Sequence, residues 1–166
     1  MASITCVPPV RITVSRYQLV EKIMPEVIQH TALLTVQMVT GPDILDITAA
    51  LDRIVGESGI REGTLAVTVV GSTGSLTTIE YEPGVVADLK DAIDRLAPRG
   101  AVYAHEEAWH DGNGHSHVQA ALLGPSLHLP LREGRLRLGT WQQVVVINHD
   151  NRSRRRPIEV TVTGIA

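Results

Sequence analysis

Residues 127–147 read LHLPLREGRLRLGTWQQVVVI. Leu127, Leu129 and Leu131 alternate with polar or small neighbours, Glu133 and Gly134 supply a turn, and Leu136 and Leu138 alternate again. Alternation at a period of two places those side chains on one face of an extended strand. Trp141 to Ile147 follows as a strong strand, and Ile158 to Val162 alternates as the last one. Consecutive strands with such short connections pair antiparallel.

Working upstream, helical spacing enters. Residues 10–20 mix polar and apolar side chains and are expected to form an edge strand or a short leading segment. Residues 31–39 read as a strand, with Leu33, Thr35, Gln37 and Val39 on one face, broken by Gly41 and Pro42. Asp43 is expected to cap a helix over 43–56, because its carboxylate can accept from a free first-turn amide. Ile44, Ile47, Leu51 and Ile54 would be its apolar stripe. Residues 65–70 carry no charge and read as a central strand, and 76–79 resume an extended run. Val85, Leu89, Ala92, Ile93 and Leu96 give a second helix after Pro83 and Gly84, ended by Pro98 and Gly100. Residues 118–123 suggest a short helix stopped by Gly124 and Pro125. The order of elements describes one α+β domain over residues 1–166, with mostly antiparallel strands and a few helices.

The 166 residues contain no Phe, so the core must be built from Val, Leu, Ile and Ala. A formal net charge of -3 argues against a nucleic-acid partner. The one basic cluster is Arg152, Arg154, Arg155 and Arg156, read either as a solvated turn between strands or as a clamp for phosphate or carboxylate. The single cysteine, Cys6, allows no internal disulfide and no zinc knuckle, which fits a reducing compartment. No basic stretch followed by a long apolar run opens the chain, and no apolar run reaches a membrane span. A cytoplasmic protein with no membrane partner is expected.

Residues 103–117, YAHEEAWHDGNGHSH, hold four histidines. Neutral imidazole ligates zinc and similar divalent metals, and near neutral pH it moves protons. Metal candidates are His105 and His117 with His115 or His110, and Asp111 is also possible. His115 and His117 share a face on a strand and diverge on a helix. The segment is thus a metal or acid–base site, an anion site without chemistry, or a hydrogen-bonded loop. Asp111-Gly112-Asn113-Gly114 lacks the oxygen ladder and closing glutamate of a calcium loop.

Gly71-Ser72-Thr73-Gly74-Ser75 follows the uncharged strand. Its amides and hydroxyls either hold phosphate or simply bend the chain. It has neither the Gly-Lys-Ser/Thr ending of a Walker loop nor the pattern of a nucleophile elbow. Glu80, between Ile79 and Tyr81, points either inward as a base or ligand orienter or outward to solvent. Thr140 and Gln142 flank Trp141, and either of them can face a pocket.

Taken together, Tyr103-Ala104-His105, Asn113-Gly114-His115-Ser116-His117, Leu123-Gly124-Pro125-Ser126 and Leu138-Gly139-Thr140-Trp141-Gln142 resemble the YjbQ-like family. Asp150 with Arg154 to Arg156, and Glu80-Tyr81-Glu82-Pro83-Gly84 with Asp88 and Leu89, extend the likeness over about residues 20–164. The resemblance implies a sandwich-like α+β fold, a homotrimer, and a thiamine-phosphate-synthase-like side activity that joins a pyrimidine pyrophosphate to a thiazole phosphate. Of the family's three site histidines, two fall on His105 and His117, and the third falls on Gly71.

The expectation is an enzyme-like domain that accepts a small phosphorylated molecule. His105 and His117 would bind a divalent metal or move protons, and Glu80 would orient or accept a proton. Ser72, Thr73, Arg154 and Arg156 would hold phosphate, with Asn113, Thr140 and Gln142 around the pocket. The rival is a non-catalytic homotrimer that binds a phosphorylated ligand or a protein partner.

Overall fold

Two antiparallel sheets form the frame of the protein in the computed structural model, which describes residues 25–166. The expected segment at 10–20 and Cys6 lie outside the described residues. The larger sheet contains β1 (Ile28–Met38), β8 (Arg154–Ile165), β3 (Glu62–Val69), β5 (Ser126–Arg132) and β6 (Arg135–Leu136), in that order. The smaller has β7 (Gln143–Asn148) between β2 (Asp43–Asp46) and β4 (Gly74–Ile79). The helices are α1 (Thr48–Ser58), α2 (Pro83–Leu96), α3 (Glu106–Trp109) and α4 (Gly114–Leu123). None of them is long and apolar enough to cross a membrane.

The facing sides of the two sheets make the main core. Leu65, Val67, Val160 and Val162 from the larger sheet meet Leu76, Val144 and Val146 from the smaller, and α1 adds Leu51, Ile54 and Val55. The other side of the small sheet offers Ile44, Val145 and Ile147 to Ile93 of α2. A strand covered on both faces needs apolar residues at every position, which is why Val144-Val145-Val146-Ile147 shows no alternation. Burying each such side chain contributes about 1.5–3 kcal/mol relative to leaving it in water.

Helix α2 follows its sequence signals. Pro83 occupies the first turn, and the Glu82 carboxylate accepts from the amides of Gly84 and Val85. The helix expected over 43–56 is a correction. Asp43 to Asp46 pair with β7, with Ile44 turned toward the α2 side and Leu45 toward the main core. The helix begins only at Thr48, whose amide and hydroxyl both bond to Asp46 Oδ1, at 2.8 and 2.6 Å. Asp43 instead accepts from the Val39 amide. Helix α4 also begins earlier than the expected 118, at Gly114.

Candidate functional site

Three chain reversals meet at one end of the sandwich: 70–73 between β3 and β4, 149–153 between β7 and β8, and 110–113 leading into α4. The His149 amide bonds to Thr73 O at 3.0 Å. The Asn151 amide and side chain bond to Asn113 Oδ1 and Asp111 O, at 3.2 and 2.8 Å. A cleft of about 390 Å³ opens between them, lined by residues 71–73, Asp111, Asn113, His117, Asp150 and Arg154 to Arg156. A larger hollow of about 530 Å³ lies between α2 and Gly41-Pro42. Of its charged lining side chains, Asp91, Asp94 and Arg99 are exposed and Lys90 is half-buried, so the smaller cleft is the organised one.

Arg156 and Asp150 organise it. Arg156 is 5% exposed. Its Nε bonds to Asn148 Oδ1 at 3.1 Å, and its Nη2 bonds to Asn148 Oδ1, to Thr73 O at 2.9 Å and to Thr73 Oγ1 at 2.8 Å. Asp150 Oδ2 accepts from Thr73 Oγ1 and from Arg154 Nε, each at 2.8 Å, while Oδ1 accepts from the Arg152 amide at 3.1 Å. Burial alone would push the Asp150 carboxyl up. Hydrogen bonds from Arg154, Thr73 and Asn113 and the Arg154 charge outweigh it and hold the group below the usual aspartate range.

The expected phosphate-binding residues therefore divide. Ser72 is exposed at the cleft, with no side-chain hydrogen bond among the described residues. Thr73 lines the cleft, but its hydroxyl is already a donor to Asp150 and an acceptor from Arg156, so it braces the loop and offers a ligand nothing further. Arg154 is fixed through Nε, which leaves its terminal nitrogens available. Gly71 has φ 141°, a conformation that favours glycine. A Cβ built there would lie 2.9 Å from Arg156 Nη1.

The histidines divide as well. His117 lines the cleft, and the His105 ring packs behind it with centroids 4.6 Å apart. His105 Nε2 is buried without a hydrogen bond, 3.5 Å from Asp111 Oδ1. His115 is a correction. It sits in the first turn of α4 two residues before His117, and a helix sends those side chains about 200° apart. It is buried beside Tyr103 with Nε2 3.2 Å from Ser116 Oγ. Among the described residues, no three His, Cys, Asp or Glu side chains converge to hold a metal ion. The donor set expected for a zinc-like metal does not fit.

Glu80, Thr140 and Gln142 are not at this site. The cleft lies at the Gly74 end of β4, and Glu80 is exposed just past its other end, about 20 Å away at strand rise. Gln142 bonds to Thr78 Oγ1 at that far end, at 2.9 Å, and Thr140 is exposed there. Alternation along a strand selects a face but does not say which end carries the site.

One member of the site was missed from sequence. Buried His149 places Nε2 2.7 Å from Ser75 Oγ and Nδ1 3.3 Å from Gln119 Oε1. The signal available was the polar triplet Asn148-His149-Asp150 at the end of an otherwise apolar strand. Helix α4 itself is held by Glu106, whose oxygens accept from the Gly112 amide at 2.7 Å and the Gly114 amide at 3.0 Å.

These features define a class: an antiparallel α+β sandwich with an arginine-walled polar cleft at one end of its sheets. The profile of the UPF0047 protein YjbQ-like family matches residues 32–165, and the chain belongs to that family. A UPF0047 protein of Archaeoglobus fulgidus is 35% identical over 125 residues, covering 75% of this chain and 95% of the relative. The UPF0047 protein YjbQ of Salmonella typhimurium is 34% identical over 114 residues, covering 68% and 82%. A crystal structure from Sulfolobus solfataricus, described as a YbjQ-like protein of unknown function, superposes with a TM-score of 0.80 at 29% identity, covering 84% of this chain and 99% of that one.

Proposed function

We propose that the protein binds a small phosphorylated molecule in the cleft and that His117 moves a proton on it. The observation that carries this reading is the set of three arginines around one cleft, two of them fixed by Asp150, Asn148 and Thr73. Guanidinium groups fixed before a ligand arrives bind phosphate oxygens without the cost of ordering. Ser72 adds a hydroxyl at the same wall. The family likeness supports a thiamine-phosphate-synthase-like activity as the reaction. In such a step the guanidinium groups would take up the charge of the departing pyrophosphate. The test is calorimetric titration with inorganic phosphate and pyrophosphate, followed by a turnover assay on the pyrimidine pyrophosphate and thiazole phosphate pair. Binding that weakens about tenfold in Arg155→Ala, the effect expected for one lost charged contact, supports the site. Absence of binding refutes it.

A second reading, a binding protein without turnover, is favoured by one observation: Glu80, the expected proton acceptor, is far from the cleft. Under both readings the chain assembles as a homotrimer. The outward face of the large sheet supports this: around Glu159 its centre carries Thr31, Leu33, Ala66 and Thr161, while the charges Arg155, Glu62 and Arg132 lie toward its ends. A sheet centre with Leu33 62% exposed among uncharged neighbours gains from cover by a neighbouring subunit.

A further inference from the structure

We infer that the cleft holds its anion in direct contact with guanidinium nitrogens, with no metal ion between protein and ligand, and that Arg156 Nη1 at the cleft wall is one of the contacting atoms. This rests on the phosphate-ligand reading and narrows it.

The Arg156 side chain is committed in an unequal way. Nε and Nη2 are spent on Asn148 and Thr73, which fixes the plane of the group. Nη1 has no hydrogen-bond acceptor among the described residues. It faces Gly71, where a Cβ would approach to 2.9 Å. Glycine at 71 and the open nitrogen therefore go together, because any side chain at that position would press on Nη1. A buried guanidinium that is immobilised on one edge and unspent on the other is built to receive an oxyanion.

The rest of the cleft disfavours a cation. Arg154, Arg155 and Arg156 face it against two carboxylates, Asp111 and Asp150. Asp150 already accepts from Thr73, Arg154 and the Arg152 amide. Asp111 Oδ1 accepts from the Asn113 amide at 3.0 Å and faces His105. His115 is turned away, so His117 is the one imidazole lining the cleft. His105 Nε2 lies behind the lining, 3.5 Å from Asp111 Oδ1, yet among the described residues no three such donors converge, and three guanidinium groups give a divalent ion a repulsive field. The same field attracts a phosphate dianion. A volume of about 390 Å³ admits that phosphate with a small organic group attached.

The test titrates the full chain with inorganic phosphate, in EDTA and again with added Zn²⁺ or Mg²⁺, while the ¹⁵N resonances of the Arg156 guanidinium are followed. The expected result is equal affinity in both conditions, a shift of the Arg156 Nη signals, and about tenfold weaker binding in Gly71→Ala, the weight of one charge-assisted hydrogen bond. Binding that requires the added metal overturns this inference and leaves the phosphate-ligand reading standing, whereas no binding in either condition overturns both. Metal-free binding with no shift at Arg156 overturns the assignment of Nη1, and that readout needs only the wild-type protein should Gly71→Ala not fold.

Discussion

The Ser75 hydroxyl stands 2.7 Å from Nε2 of His149, and both side chains are wholly buried. Gln119 donates from Nε2 to Ala97 O, so its Oε1 is the acceptor that faces His149 Nδ1. Nδ1 therefore carries the imidazole proton, and Nε2 accepts from Ser75. The polarity is that of a nucleophile and its base, but a fully buried hydroxyl meets no substrate. The role of the group is positional: the His149 amide holds Thr73 O, and Ser116 Oγ bonds to His149 O at 2.7 Å.

That geometry gives the protein an acid sensitivity. Burial, with the charges of Arg156 and His115 adding to it, pushes His149 down to about 4. The unfolded chain accepts a proton near the ordinary histidine value that the folded state refuses. The associated stability is complete above about pH 6.5 and is lost as the pH falls toward 4, by about 3 kcal/mol at most. Urea denaturation at a series of pH values measures it. In His149→Gln the slope across this window is expected to fall to the smaller part that His115, also pushed down by burial, still contributes, and an unchanged slope would assign the sensitivity to other groups.

His117 separates an enzyme from a binding protein. It lines the cleft, and the His105 ring behind it faces Asp111. If His117 moves a proton in the reaction, His117→Gln lowers kcat by about a hundredfold or more, the usual weight of a general acid or base. Phosphate affinity, set by the arginines, changes little. A wild-type protein that binds phosphate but does not turn over the pyrimidine pyrophosphate and thiazole phosphate pair would establish the binding-only reading instead.

Much of the frame was legible because its signals are local. The unbroken run from Val144 to Ile147 marks a strand covered on both sides, and Glu82-Pro83-Gly84 marks the start of α2. Errors arose where distant groups decide. Ile44, Ile47, Leu51 and Ile54 have helical spacing, yet pairing with β7 draws Asp43 to Asp46 into the small sheet. The start of α4 carries glycine and two histidines in place of an apolar period, and it is capped by a carboxylate eight residues upstream of Gly114. The site was half visible. His117, Ser72 and the arginines were singled out from residue chemistry. That they share one end of the sandwich while Glu80 and Gln142 occupy the other depends on register, which no single segment encodes.

The outer face of the large sheet carries the prediction of assembly. Leu33 is 62% exposed in the middle of β1 and lies opposite Glu159 on β8. A trimer would use this surface, and sedimentation of the wild type is expected to give three times the chain mass. Leu33→Glu would set a second carboxylate beside Glu159 and shift the mass to that of the monomer, with the far-ultraviolet spectrum unchanged. A wild type that sediments as a monomer at micromolar concentration would refute the trimer.

Glu106 supports the cleft from outside it. Its two oxygens hold the Gly112 and Gly114 amides and so fix the entry to α4, the helix that presents His117. Hydrogen bonds from those amides lower the Glu106 carboxyl below its ordinary value, with the His105 charge adding to them against a small effect of burial. Its support is complete above the ordinary glutamate range and is lost as the pH falls through the lowered folded value. Glu106→Gln keeps the shape but removes the charge that strengthens both bonds and complements the positive helix start. Amide hydrogen exchange at Gly112 and Gly114 is expected to speed up several-fold, while exchange in β7 stays as it was. If Glu106 acts through α4, the variant also weakens turnover through His117 more than it weakens phosphate binding. Equal loss of both would mean that the whole end of the sandwich had loosened, and unchanged exchange at the two glycines would mean that the carboxylate does not hold the helix start.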